Sequence, residues 1–213
     1  MPALDGLYEL KGERRTMSRT RFALVLTAVL AAVAFAAGCG GDDADESATP
    51  PASSSSVPFD RSFIDAMVPH HRSAIEMAQA AKQTGLSQPD LITVANDIID
   101  TQQAEIEDML SWREEWFGSR QVDPDGAAGL GLSEEEMGMG MEHGAAEIEG
   151  ADDVDQAFAT AMIPHHEGAI AMAKLARERG QHEEIRLLAD DIISAQEREI
   201  VILGRHAGAR HGS

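Results

Sequence analysis

The sequence predicts an all-α fold, a four-helix bundle made of two similar helical hairpins, and three observations lead there. First, the chain is duplicated internally. FIDAMVPHHRSAIEMAQAAK from Phe63 aligns with FATAMIPHHEGAIAMAKLAR from Phe158 at an offset of 95, and ANDIIDTQQAEI aligns with ADDIISAQEREI at an offset of 94. Second, apolar residues in both copies recur at steps of three and four, the period of one helix face. Third, no stretch alternates apolar and polar residues as a half-buried strand would.

The elements follow in chain order. Residues 1–38 read as a lipoprotein signal peptide. Basic RRTMSRTR precedes FALVLTAVLAAVAFAAG, which is uncharged but shorter than the ~20 residues of a membrane-spanning helix. The run closes on AAGC, so Cys39, the only cysteine, is the expected lipid attachment point. The predicted location is the extracytoplasmic face of the cell membrane, or outside the cell altogether if the cysteine carries no lipid. A mature chain without a free thiol can form neither disulfides nor thiolate metal sites. Residues 39–58, GGDDADESATPPASSSSVP after the cysteine, are too polar for a core and form a disordered acidic, Ser and Pro-rich tether.

Residues 59–117 are the first hairpin repeat, 118–150 a Met-rich linker, 151–208 the second repeat and 209–213 a tail. Gly85 and Pro89 punctuate the first hairpin, and Gly180 the second. In the leading helix Phe63, Met67, His70, Ala74, Met77 and Ala81 form one row, with Ile64, Val68, His71, Ile75 and Ala78 beside it. The following helix presents Leu91, Ala95, Ile98, Gln102 and Ile106, matched by Ile185, Ala189, Ile192, Gln196 and Ile200. One hairpin alone would leave its apolar face wet, so the two pack together. Pro69 and Pro164 have no amide hydrogen to return to Asp65 and Thr160, which predicts a kink or restart in each leading helix.

The chain carries 17 basic and 37 acidic residues; without residues 1–38 the balance is 12 against 34, or net −22. Such a field repels nucleic acid and anionic membrane surfaces, and it raises the local concentration of cations. No nucleophile triad, phosphate loop or paired acid and base stands out, so the sequence does not point to an enzyme.

It does point to a metal. Met67, His70 and Met77 share a row, as do Met162, His165 and Met172, with His71 and His166 alongside. Imidazole and thioether donors among alanines suit copper, as Cu(I) or Cu(II), better than magnesium or calcium. Methionine at such positions otherwise serves as core filler. Buried histidines need partners, which a metal, a buried water or the facing Gln102 and Gln196 could supply. In the linker, EEEMGMGMEHG sets Met137, Met139, Met141 and His143 in a glycine-spaced run where methionine has little packing to do, as in a mobile copper-binding loop. Thioethers stay neutral in acid and tolerate oxidising surroundings better than thiolates do. His206 and His211 near the end are weaker candidates. Imidazole must lose its proton to bind, so with a reference pKa near ~6.5 the affinity for Cu(II) is expected to fall below about pH 6.

The duplicated AMxPHHxxAIxMA resembles the bacterial exported family called domain of unknown function 305, of the ferritin-like superfamily, over about residues 59–208. The resemblance implies a ferritin-like four-helix fold of two hairpins, functional pairs at His70, His71 and at His165, His166, and an association with copper binding and tolerance. Ferritin-like di-iron sites place Glu three residues before His. Met67 and Met162 stand there instead, which argues against di-iron chemistry. The reading is a cell-envelope lipoprotein that binds copper for storage, detoxification or delivery to an exchange partner. Its alternatives are a metal-dependent enzyme at the His-His pairs and a metal-free structural or partner-binding domain.

Overall fold

The computed structural model describes residues 57–139 and 144–208. The predicted signal peptide, Cys39, nearly all of the predicted tether, Met141, His143 and His211 lie outside the described residues. Four long helices make the bundle: α1 (Phe59–Thr84), α2 (Pro89–Phe117), α4 (Val154–Arg179) and α5 (Glu183–Leu203). A 3₁₀ turn at Gly126–Leu130 and the short α3 (Ala145–Glu149) lie between the hairpins. No strand occurs among the described residues, and no described helix is long and apolar enough to cross a membrane. α1 packs on α2 and α4 on α5; α1 also packs on α4, and α2 touches α5, so the bundle closes within one chain.

Glycine ends α1 and α2. Gly85 takes φ 127° and returns its amide to Ala81, and Gly118 takes φ 80° and returns its amide to Glu114. Of the kink or restart expected at each proline, the restart does not occur. Pro69 and Pro164 lie inside continuous α1 and α4, where packing on neighbours outweighs one lost hydrogen bond per helix.

The repeats are tied together by an exchange of caps. Asp60, in the first turn of α1, accepts hydrogen bonds from the amides of Gln181 and His182 (both 2.9 Å) at the start of α5. Asp155, at the same place in α4, accepts from the amides of Ser87 (2.8 Å) and Gln88 (3.2 Å) at the start of α2. Each carboxylate thus satisfies donors that a helix N-terminus leaves open, on the opposite hairpin. This pairing requires α1 and α4 to run antiparallel.

The antiparallel crossing divides the core in two. Phe63, Met67 and Ile106 share one apolar cluster with Met172, Ala173 and Ile185. Ala74, Met77 and Ile98 share the other with Phe158, Met162 and Leu203. The linker joins this core rather than looping free, because Leu130 and Met137 are buried in the first cluster and Ile148 in the second.

Candidate metal centre

At the crossing of α1 and α4 the first histidine of each motif meets the other. The His70 and His165 rings lie 3.8 Å apart, centroid to centroid, with 41° between their planes. The second histidines turn away, since one step along a helix rotates the side chain by about 100°. His71 Nε2 sits 2.8 Å from Glu105 Oε2 on α2, close but short of hydrogen-bond alignment, and His166 Nε2 sits 2.7 Å from Glu199 Oε2 on α5. All four imidazoles are at most 4% exposed. Burial, reinforced by the nearby His71, pulls the pKa of His70 down to about 3. Burial, reinforced by His70, pulls that of His165 well below its ordinary value. Both are therefore neutral and available as ligands.

Their nitrogens are unequally satisfied. His70 Nε2 donates to the Met137 carbonyl at 2.9 Å, whereas His70 Nδ1 and both nitrogens of His165 are buried without a hydrogen-bond partner. Each ring also approaches the other's backbone carbonyl, outside hydrogen-bond alignment. Gln102 and Gln196 do not fill the gap; each keeps a buried Oε1 without a partner of its own.

The Met137 carbonyl reaches His70 because the linker folds into a tight strap over α4. Ser133 and Glu136 cap one another, the Ser133 amide and hydroxyl donating to Glu136 Oε2 and the Glu136 amide to Ser133 Oγ. The amides of Met137 and Met139 bond back to Ser133 and Glu134. Gly138 takes φ 67°, and a Cβ there would collide with the Pro164 carbonyl; a Cβ on Gly168 would collide with Met137 itself. Under the strap is a cavity of about 480 Å³, lined by His70, Met137, Met139, Met172, Glu134 and Asp65 among others. The Asp65 carboxylate is already engaged by Arg113, whose Nε and Nη2 donate at 2.6 and 3.2 Å.

This donor set fits a soft ion. It offers a neutral imidazole nitrogen without a partner beside three thioethers. Among the described residues no three histidine, aspartate or glutamate side chains converge to hold a metal, so a hard, carboxylate-rich site is not built.

The family model described as "Domain of unknown function (DUF305)" matches residues 44–89 and 60–206. The chain belongs to the DUF305 family. No curated protein matches it. Among solved structures, CopM in the Cu(I)-bound form is 33% identical with a TM-score of 0.59, over 72% of this chain and 98% of that one. CopM in the Cu(II)-bound form is likewise 33% identical, with a TM-score of 0.57 over 70% and 95% of the two chains. The DUF305 protein from Streptomyces coelicolor is 24% identical, with a TM-score of 0.62 over 73% and 98%; at that identity it attests the fold alone.

In this DUF305 chain the predicted rows are redistributed between the repeats. Met67 and Met77, read as one row, fall in different clusters, and so do Met162 and Met172. Met67 instead joins Met172 on the side of the strap, and Met77 joins Met162 on the other. Met137 is 8% exposed and packed in the core, so the expectation of an unpacked loop does not hold for it. Glu105 and Glu199 were missed by the sequence reading. Their signal was present, since they occupy matched positions of the duplication at an offset of 94, three residues beyond Gln102 and Gln196.

Proposed function

We propose that this protein is a copper-binding lipoprotein of the cell envelope, holding the metal at the α1–α4 crossing under the strap. The observation that carries the reading is His70, a neutral, buried imidazole with an unpartnered nitrogen on the wall of a cavity shared with three methionines, its ring 3.8 Å from that of His165. The likeness to CopM, whose structures include Cu(I)-bound and Cu(II)-bound forms, supports it. His70 and His165 would supply nitrogen, and Met137, Met139 and Met172 sulfur, with Met67 behind them in the same cluster. His71 and His166, held against Glu105 and Glu199, would orient the helices rather than ligate. Met77 and Met162 share the other apolar cluster, apart from Met137 and Met139. Met141 and His143 would extend capture beyond the strap, and Cys39 would carry the lipid anchor.

Copper would be cargo here, and catalysis is not part of the proposal. Storage, detoxification and delivery to a partner protein all remain uses of one binding step. The test is titration of tag-free, metal-free protein with Cu(I) against a competing chelator, and with Cu(II), beside a His70→Ala, His165→Ala double variant. Binding by the parent that the variant loses is the expected result. Absence of binding in both oxidation states would overturn the reading. For the anchor, Cys39→Ser should release the protein from the membrane fraction, and retention there would refute lipidation.

A further inference from the structure

A neutral imidazole carries one proton, and its hydrogen bonds decide which nitrogen holds it. A carbonyl oxygen can only accept, so the 2.9 Å contact between His70 Nε2 and the Met137 carbonyl requires the proton on Nε2. Nδ1 is then the bare lone pair, and it is the nitrogen buried without a partner. His165 comes from the same motif in the other repeat, yet neither of its nitrogens has a hydrogen-bond partner. The duplication therefore yields one fixed ring and one unfixed ring, and the difference between them is the strap.

The strap holds its carbonyl in place through backbone fit. The Ser133 and Glu136 caps wind it, Gly138 supplies the left-handed turn after Met137, and Gly168 of α4 leaves the space that the Met137 carbonyl group occupies. Any side chain at residue 168 would occupy that space.

We propose that the strap is a positioning element for the metal site: its Met137 carbonyl holds His70 as the Nε2–H tautomer and so presents Nδ1 as the metal-binding nitrogen, with Gly168 the residue that lets the strap seat. Nδ1 adjoins the carbon that bears the side chain, so a metal bound there lies close to α1 rather than at the ring's tip. Met137 thus has two separable roles, a backbone acceptor that sets the ring and a thioether that faces the cavity. The metal half of the proposal rests on the copper reading; the tautomer half does not.

The experiment is a long-range ¹H–¹⁵N correlation spectrum of the full chain labelled with ¹⁵N-histidine, recorded metal-free and then with Ag(I) as a diamagnetic stand-in for Cu(I). Metal-free protein should show His70 protonated on Nε2 alone, and silver should shift Nδ1 while the Nε2 proton stays. Gly168→Ala should leave helical circular dichroism intact, since alanine favours helix. It should lose the single His70 tautomer and weaken silver binding by about tenfold or more, as removal of a group that orients a ligand does. Met137→Ala keeps the carbonyl, and so should keep the tautomer while weakening binding. His70 protonated on Nδ1 in the parent, or an unchanged tautomer in folded Gly168→Ala, would overturn the proposal. The parent spectrum decides the first point even if the variant fails to fold. An Nε2–H ring that Gly168→Ala disturbs, in a protein that binds neither silver nor copper, would uphold the strap's role and remove the copper reading instead.

Discussion

Adjacent histidines in this protein are given different work by helix geometry. His70 looks across to α4 and the strap, and His71 looks to Glu105 on its own hairpin. Burial, only partly offset at His70 by the Met137 carbonyl, makes His70 and His165 poor bases, with consequences for stability. In the unfolded chain each takes up a proton near pH ~6.5, but in the fold His70 does so only near pH 3 and His165 well below its ordinary value. The unfolded state therefore binds more protons below pH ~6.5, and the stability present above that pH drains away as pH falls toward about 3. Metal-free protein should lose about 1.4 kcal/mol per pH unit through His70 in that window, with His165 adding to the loss in the same direction. Urea unfolding at pH 7.5, 6 and 5 checks this, with His70→Asn expected to reduce the slope; equal stability at all three would refute it. The same shift revises the pH at which protons compete with Cu(II): reference values put it near ~6, whereas the buried rings move it lower.

At the scale of elements, the cap exchange between α1 and α5 and between α4 and α2 is the testable feature. Burial on its own would raise the Asp155 carboxyl, but hydrogen bonds from the Ser87 hydroxyl and amide and the Gln88 amide outweigh it and hold its pKa below the ordinary value. Asp155→Ala and Asp60→Ala should each cost about 1–2 kcal/mol, the usual range for losing a helix cap, read as a lower denaturation midpoint. A change of under a few tenths in either would show the cap to be idle. The helices themselves were legible because Phe63, Met67, His70 and Ala74 repeat at helical spacing, and Gly85 marks a true end. Pro69 allowed either a kink or a restart, and only the restart is excluded by a continuous α1. The caps were visible only as a coincidence, an aspartate at the same place in both copies, because nothing local says that Asp60 reaches a turn 121 residues away. Burial of Met137 was illegible for a related reason: the strap has no periodicity, and its place depends on space left by Gly168 in another element.

For the molecule as a whole, a cargo held only by the folded state must stabilise it. At a free Cu(I) concentration about 100 times Kd the gain is about 2.7 kcal/mol, which for a domain of this size is a rise in Tm of roughly 5–10 °C. Thermal unfolding with and without Cu(I) should show that rise in the parent and not in His70→Ala, His165→Ala; the same rise in both would place the metal elsewhere. A strongly acidic chain, net −20 overall, adds a screened attraction for any cation without selecting one. The reciprocal aspartate caps also give the molecule an approximate internal two-fold symmetry. Each hairpin offers the other the same carboxylate and receives the same contact in return, which is the self-complementary logic of a two-fold homodimer. Within the single chain that symmetry is broken by the linker, whose strap reaches the His70 ring and leaves His165, its counterpart in the other hairpin, without a hydrogen-bond partner.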